Sequence, residues 1–224
     1  MFIGHYAVAL VARSAAPRAS LGVLFGATQL PDLVWPVCVL LGWEHVEIVP
    51  GITAFNPLEF TSHPWSHSLL MVTAWGALAG LAYHLLARDR AGAAAVVFLA
   101  ISHWVLDWVS HRPDLPVWPG GMERLGLGLW NSIPGTLLVE GSLFFAGAAM
   151  YLRRTHARDR IGRYGFWSLL VVLVAAYIAD RFGPPPPSER VLGWFALFAG
   201  WLPVLWAGWA DGHRSCTIPA GKES

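Results

Sequence analysis

The residues best suited to chemistry lie in an apolar segment, AAAVVFLAISHWVLDWV, between positions 93 and 109. It carries His103 and Asp107 four residues apart, and His111 follows after another four. At 100° per residue, positions i, i+4 and i+8 fall within about 80° of one another, so the three side chains share one stripe of a helix. An ionisable group at membrane depth costs roughly 2.5–3.5 kcal/mol on insertion scales, and such groups usually face a partner or a wet cavity. The stripe therefore predicts a functional site.

Other polar residues, in neighbouring apolar segments, are predicted to lie near the membrane surface at which the segment 93–109 ends. At 1.5 Å per helical residue, His103 lies about 9 Å, Glu140 about 10 Å and Asp32 about 16 Å below that face. His63 and His67 belong to the segment SHPWSHS, which lies at that face and leads into the next apolar segment. Because these residues come from four different segments, their convergence favours a common site over chance.

Imidazole and carboxylate groups together indicate a site for zinc or a related divalent ion. Zinc accepts neutral histidine nitrogen and carboxylate oxygen at about 2.0–2.2 Å, and a catalytic site keeps one position for water. A His-x-x-x-Asp pair can present both ligands to one ion or to two neighbouring ions. The candidate ligands are Asp32, His67, His103 and Asp107, with His63 completing the shell.

Each candidate also has a structural interpretation. His103 and Asp107 could form a buried hydrogen-bonded pair that holds helices together, and His67 could cap the start of a helix. Glu140 is a candidate general base or a partner of a ligand, but it could instead pair with an arginine or accept a backbone hydrogen bond. His111, followed by Arg-Pro-Asp, could be a surface residue. These alternatives stay open at the level of the sequence.

The elements that position these residues are predicted to be membrane-spanning helices. Hydrophobic residues make up 55% of the 224 residues and charged residues 13%, against about 25% charged in soluble proteins. Blocks near the ~20 residues needed to cross a bilayer predict six spans. They lie at about 21–43, 68–87, 93–109, 133–152, 166–180 and 191–210. Pro31 and Pro36 are expected to break the first. The chain is thus predicted to be one all-α domain, residues 1–224, with Phe2–Val11 as a short extra apolar helix.

The placement of basic residues predicts the orientation. Eleven lie on one side if each span crosses once: Arg13, Arg18, Arg88, Arg90, Arg153, Arg154, Arg158, Arg160, Arg163, Arg214 and Lys222. The other side holds four basic residues and several acidic ones. By the positive-inside rule the first side is cytoplasmic, which puts both termini there and the polar cluster on the outer side. The acidic outer loops exclude nucleic acid as a partner.

Four short motifs in the first half of the chain resemble the YdjM-like family of bacterial membrane-bound, metal-dependent hydrolases. They are His5 near the start, Pro31-Asp32 in an apolar stretch, His63 through His67-Ser68, and Ser102-His103 through Asp107. The resemblance implies that His5 is a further metal ligand and that the protein resides in the cytoplasmic membrane of a bacterium. The family is thought to be related to the zinc-dependent phospholipase C and P1 nuclease group, which implies a multi-zinc phosphoesterase site.

The chain departs from the family pattern in two places. Pro64 stands where the family has a basic residue, and Leu33 and Val34 follow Asp32 where a second acid is common. Both differences weaken the transfer of the family's full activity. The segment GLGLWNSIPG before Glu140 lies outside the pattern.

The residues and the resemblance together predict a membrane-bound metal-dependent hydrolase. Its substrate would be a lipid or a lipid-linked phosphoester, reached from the extracytoplasmic side, with zinc as the expected ion. A non-catalytic transporter or metal-binding module could use the same His/Asp residues, because broken helices at membrane depth also suit a transporter. The absence of repeated spans in the sequence argues against the transporter.

Overall fold

The computed structural model describes residues 1–216, which form a bundle of helices with short paired strands at its ends. The helices are α1 (Ile3–Ala12), α2 (Leu21–Thr28), α3 (Leu30–Leu40), α4 (Pro64–His67), α5 (Leu69–Ala87), α6 (Arg90–Ser110), α7 (Ile133–Arg154), α8 (Phe166–Phe182), α9 (Glu189–Ala199) and α10 (Trp201–Gly212). The strands are β1 (His45–Ile48), β2 (Leu58–Ser62), β3 (Leu115–Pro116), β4 (Arg124–Leu125), β5 (Thr155–Ala157) and β6 (Arg214–Cys216). Lys222, one of the eleven basic residues, lies outside the described part of the chain.

Five helical segments are long and apolar enough to cross a membrane, and a bent pair of helices makes up to six within residues 1–216. They are Leu69–Ala87, Arg90–Ser110, Ile133–Arg154, Ile161–Phe182, Glu189–Gly212 and the bent pair α2–α3. Each overlaps one predicted span, so the all-α, multi-span fold is confirmed. The helices run a few residues beyond the apolar blocks because polar residues such as Arg90 and Arg154 continue the helical hydrogen bonding.

The first predicted span is broken, but not where the prolines suggested. The axes of α2 and α3 differ by 53°, and the break falls at Gln29. Pro31 lies in the first turn of α3, where a missing N–H removes no helical hydrogen bond. Pro36 lies inside α3 without ending it. The bend places Asp32 in the first turn of α3, facing the interior of the bundle from a break in the span.

Helix α1 is buried lengthwise in the bundle and joins its two ends. At its start, the Met1 amino nitrogen donates to Ser110 Oγ (3.0 Å) and to Asp107 at the end of α6. At its far end, Arg13 pairs with Asp211 (3.1 Å) at the end of α10. Cys216, the last described residue, also lies at that far end, in β6. Met1 and Cys216 are thus at opposite ends of the bundle.

Glycines allow the helices that carry the polar residues to approach closely. A Cβ on Gly147 of α7 would lie 2.7 Å from the carbonyl oxygen of Ala7 in α1. A Cβ on Gly76 of α5 would lie 2.8 Å from the Cβ of Ala100 in α6. Small residues at helix contacts are the usual means of close packing inside a membrane. Here they allow α7 to approach α1 and α5 to approach α6.

The long connection between α3 and α5 folds over one end of the bundle. Its strands β1 and β2 pair antiparallel, with Glu47 opposite Glu59. The connection then delivers His63 and the single turn α4, which ends at His67. This end, where α6 finishes and α7 begins, is called the site end below.

Candidate metal centre

Asp107 of α6 lies at the centre of a group of four imidazole rings. Its Oδ1 atom is 3.0 Å from His5 Nε2 and 3.8 Å from His111 Nε2. Its Oδ2 atom is 2.9 Å from His103 Nε2 and 3.8 Å from His67 Nε2. Asp107 is only 2% exposed and His103 is fully buried. One buried carboxylate is therefore approached by histidines from both sides.

A second carboxylate, Asp32 of α3, completes one side of this group. Its Oδ1 atom lies 3.3 Å from His67 Nε2 and 3.7 Å from His103 Nε2. The Asp32 side chain is 44% exposed, because it borders a cavity of about 150 Å³ that Asp107 and His111 also line. The group is thus buried on the helix side and open to a small cavity on the other.

The structure brings together five of the predicted ligands and adds a sixth residue. We call this group the His/Asp cluster: His5, Asp32, His67, His103, Asp107 and His111. The members lie in or next to α1, α3, α4 and α6, so four elements meet at one point. The predicted stripe of α6 accounts for three members, and His111, the C-cap of that helix, is buried rather than on the surface.

The ring of His103 is oriented by the backbone. Its Nδ1 atom lies 2.7 Å from the carbonyl oxygen of Thr28 at the end of α2. A carbonyl oxygen only accepts hydrogen bonds, so Nδ1 carries a proton and Nε2 is the ring nitrogen that faces the carboxylates. The bend between α2 and α3 leaves this carbonyl available, which connects the broken span to the site.

The rings of His67 and His111 are oriented by acidic residues. His67 Nδ1 lies 2.7 Å from Ser66 Oγ, which donates to Glu44 Oε2 at 2.6 Å. His111 Nδ1 lies 2.9 Å from Asp114 Oδ1. In both rings the outer nitrogen faces an acceptor and Nε2 faces the cluster. A metal-binding histidine almost always has such a partner on its other nitrogen.

The spacing of the atoms fits a metal ion. Four ligands at about 2.0–2.1 Å from a tetrahedral ion lie about 3.3 Å from each other. The four histidine–carboxylate distances that join Asp32 Oδ1 and Asp107 Oδ2 to His67 Nε2 and His103 Nε2 range from 2.9 to 3.8 Å. Two overlapping groups, His5 with His103 and Asp107, and Asp32 with His67 and His103, have their ligand atoms within 4.8 Å of one another. These buried His and Asp groups could hold a metal ion.

The simple hydrogen-bonded pair that the sequence left open fits less well. It requires a proton on His103 Nε2 that points at Asp107. Yet Nε2 has no hydrogen-bond partner of acceptable geometry among residues 1–216, although the carboxylate oxygen is only 2.9 Å away. An unprotonated Nε2 at this distance from the carboxylate could share a metal ion with it.

Two predicted residues lie at the edge of the cluster rather than in it, and His63 is the first. His63 is 2% exposed, with its ring centroid 5.6 Å from that of His67 and 6.4 Å from that of His111. Neither of its ring nitrogens has a hydrogen-bond partner within the described chain. Burial lowers the pKa of His63 well below its ordinary value, because the charged ring would lose its hydration, and the neighbouring His67 and His111 act in the same direction. The ring is therefore neutral, as a metal ligand must be.

The second residue at the edge of the cluster is Glu140, which accepts backbone hydrogen bonds, one of the alternatives that the sequence left open. Its Oε2 atom accepts backbone hydrogen bonds from Phe2 (2.8 Å) and Gly4 (3.2 Å) at the start of α1. Its Oε1 atom is buried without a partner in the described residues, and Glu140 lines the small cavity beside Asp107. Glu140 thus fixes the start of the helix that carries His5 and keeps one oxygen beside the cavity.

Sequence reasoning placed His111 on the stripe of α6 but left it out of the set of ligands, and it missed Glu44 and Asp114 as supports of the cluster. His111 had a detectable signal, since it continues the i, i+4, i+8 stripe of α6. Asp114 also lies within one turn of His111 in sequence. Glu44 had none, because it reaches Ser66 across 22 residues that fold back through the β1–β2 hairpin. It is nonetheless fully buried and accepts hydrogen bonds from the backbone of Trp65 (2.7 Å) and Ser66 (2.8 Å).

Comparison of the chain with protein-family models, with curated proteins and with solved structures found no match.

Proposed function

We propose that this protein is an integral membrane hydrolase that uses a divalent metal ion, zinc as the expected one, on a lipid or lipid-linked phosphoester. The observation that carries the proposal is His103 Nε2, which faces Asp107 at 2.9 Å and Asp32 at 3.7 Å while Nδ1 is bonded to the backbone. A cation between these groups offsets the repulsion among one lone pair and two carboxylates. Nitrogen and oxygen ligands at this spacing suit zinc.

The two oxygens of Asp107 support a pair of ions. Oδ2 faces His103 and His67. Oδ1 faces His5 and His111 and also accepts from the Met1 amino group, which a second ion would have to displace. The rings of His5 and His103 are stacked, 3.8 Å apart at their centroids and 4° from parallel, yet they approach different oxygens of the same carboxylate. A carboxylate in this position suits two ions about 3.5–4 Å apart, the spacing of two-metal hydrolases.

The residues around the small cavity support a hydrolytic reaction. When bound, such an ion polarises a phosphoester and lowers the pKa of a water molecule. Asp32 borders the cavity and leaves room beside the cluster for the ester. Glu140 holds α1 through Oε2, and its second oxygen is placed to accept the proton of an attacking water. The roles of ligand and base thus fall on different carboxylates.

The surroundings of the cluster support a lipid substrate. Five to six apolar helices make a membrane location the natural one, and the basic residues lie mostly at the end of the bundle opposite the cluster. By the positive-inside rule the site end then faces the extracytoplasmic side of a bacterial cytoplasmic membrane. A site at that level receives amphiphiles laterally from the outer leaflet. The resemblance to the YdjM-like family agrees with this function and remains an expectation.

The proposal is tested by metal content and hydrolysis. The full chain, purified in detergent without chelators, is expected to carry at least one zinc-class ion per chain by elemental analysis. His103→Ala and Asp107→Ala should lose it, whereas His156→Ala and His213→Ala should not, because both of those histidines lie at the opposite end of the bundle. The metal-loaded protein should then hydrolyse a member of a lipid and phosphoester panel. A wild-type protein without stoichiometric metal would show that the ligand assignment is wrong.

A second candidate is a non-catalytic transporter or metal-binding module. The 53° bend between α2 and α3 favours it, since discontinuous helices beside a mid-membrane site are typical of transporters. Metal-loaded protein that hydrolyses nothing across the panel, but moves zinc into sealed vesicles, would establish this candidate and overturn the hydrolase.

A further inference from the structure

A larger chamber lies beside the small cavity at the site end. Its volume is about 840 Å³, against about 150 Å³ for the cavity at the cluster. Its walls are the loop 50–58, the last turns of α8, the proline-rich link 183–186 and the first turns of α9. Most of the lining is apolar, with alanine, proline, leucine and phenylalanine side chains. A hydrocarbon group therefore fits the chamber better than a polar one.

The chamber and the small cavity are adjacent. Both are lined by Phe2, Phe55, Asn56, Leu58 and Asp180. A molecule in the chamber would reach Asp107 and Asp32 by extending one end between these residues. The apolar chamber and the polar cluster then bind the two ends of one amphiphile.

The chamber opens towards the apolar outside of the bundle. Ala176 and Ala179 on α8 are exposed and small, so they leave a gap next to the first turns of α9. Phe195 on α9 is 68% exposed and forms the opposite wall. The proline run between the two helices is a stiff spacer, which holds the gap at a fixed width. Both helices belong to segments that are long and apolar enough to cross a membrane, so an opening between them would face lipid.

One cationic side chain, Arg181, lies where the polar head group of an amphiphile in the chamber would pass. Arg181 lines the chamber, and its guanidinium carbon lies 5.8 Å from the ring centroid of Phe55 and 5.1 Å from that of Phe182. Its Nε atom is buried without a hydrogen-bond partner among the described residues. Arginine is the side chain best suited to a planar, paired contact with phosphate oxygens. Arg181 therefore complements an anionic head group.

We propose that the chamber binds one acyl chain of a membrane phospholipid, with the phosphate between Arg181 and the His/Asp cluster. The volume lies within the range of about 300–1,000 Å³ for small-molecule sites, which suits a single chain. The inference rests on the proposed function, because it takes the cluster as the reacting centre. It adds the substrate class, a phospholipid that enters sideways between α8 and α9, and the residues that select it.

Photocrosslinking tests the chamber. The probe is a lysophosphatidic acid with a photoreactive diazirine near the end of its acyl chain, added to the full metal-loaded chain in detergent. Mass spectrometry is expected to find the label on Ala176, Ala179, Leu192 or Phe195. Ala179→Trp should fill the chamber and reduce this labelling at least about tenfold, because several methylenes lose their apolar contacts. Ala77→Trp, on the exposed face of α5, is the matched control and should leave it unchanged.

The phosphate contact has its own test. Arg181→Gln should weaken labelling by the lysophosphatidic acid probe but not by a monoacylglycerol that carries the same diazirine chain. Equal labelling of wild type and Ala179→Trp, or labelling spread evenly over all exposed helix faces, would overturn the chamber. Equal loss of both probes in Arg181→Gln would overturn the phosphate contact.

Failure of the chamber and failure of the hydrolase are separable. Metal content and hydrolysis of bis(p-nitrophenyl) phosphate, a small soluble ester, are measured on the wild-type protein in parallel. Metal and soluble-ester hydrolysis without chamber labelling would overturn the inference and keep the proposed function. Chamber labelling without metal or hydrolysis would keep the lipid site and overturn the hydrolase.

Discussion

For each histidine of the cluster, the chemistry depends on which ring nitrogen carries the proton. Thr28, Ser66 and Asp114 each accept from, or lie against, the outer nitrogen of one imidazole. Each therefore turns an Nε2 lone pair towards the two carboxylates. Without these partners a ring could rotate or change its tautomer, and the cluster would lose a ligand.

The link between His67 and Glu44 gives a direct test of this principle. Ser66→Ala removes the hydroxyl between them, while Glu44 keeps its hydrogen bonds to the backbone of Trp65 and Ser66. We expect metal affinity to fall about 10–100-fold with the fold intact, since such outer partners usually have effects of this size. Competition with a coloured chelator measures the affinity. Ser168→Ala, a serine bonded only to helical carbonyls of Tyr164 and Gly165, should have no effect.

One substitution can distinguish the structural role of Glu140 from its catalytic role. Glu140→Gln keeps an oxygen for the N–H groups of Phe2 and Gly4 but loses the charge and the basicity. We expect turnover to be lost while bound metal is retained. Glu47→Gln, on the exposed hairpin, is the matched control. Full activity in Glu140→Gln would show that Glu140 only anchors α1. Loss of metal would show that Glu140 is a metal ligand.

Among the helices, the packing of α1 on α7 matters most to the cluster. His5 has no sequence neighbour in the cluster, so its position next to Asp107 and His103 depends on how α1 packs in the bundle. Gly147 sets the distance, because any larger residue would meet the backbone of Ala7. Helix α1, which is too short to span a membrane, is therefore an internal part of the site.

A pair of glycines in α7 tests this packing. Gly147→Ala should destabilise the protein by about 1–3 kcal/mol and reduce bound metal, because its Cβ would lie 2.7 Å from a backbone oxygen that cannot move freely. In Gly141→Ala the new Cβ meets nothing within 4 Å, so we expect unchanged or up to about 1 kcal/mol higher stability. Thermal unfolding in detergent and metal content measure both effects. Equal behaviour of the two variants would show that α1 does not position His5.

Across the molecule as a whole, all cluster members gather at one end of the bundle, and the basic loops gather at the other. This separation follows from the alternation of spans and gives the protein two chemically different faces. Reporter fusions at Gly51 and Gly120 should therefore give an outer signal, and fusions at Arg90 and Thr155 a cytoplasmic one. A cytoplasmic signal at Gly51 or Gly120 would reverse the orientation and place the substrate in the inner leaflet.

The spans and the stripe of α6 are predictable from the amino-acid sequence, because both depend on local periodicity. Long apolar blocks require helices in a membrane, and residues four apart share a helix face whatever surrounds them. For this reason the sequence suffices to place His103 and Asp107 on one buried face, and the same spacing extends to His111.

The partners of these residues depend on the tertiary fold. The contact of His5 with Asp107 spans 102 residues, that of Glu140 with Phe2 spans 138, and that of Arg13 with Asp211 spans 198. A periodic pattern states which face of a helix is buried, but not which helix covers it or at what height. The bend at Gln29, the depth of α1 and the fold of the loop with Glu44 all result from packing between distant segments. That packing turns six separate polar residues into one candidate metal centre.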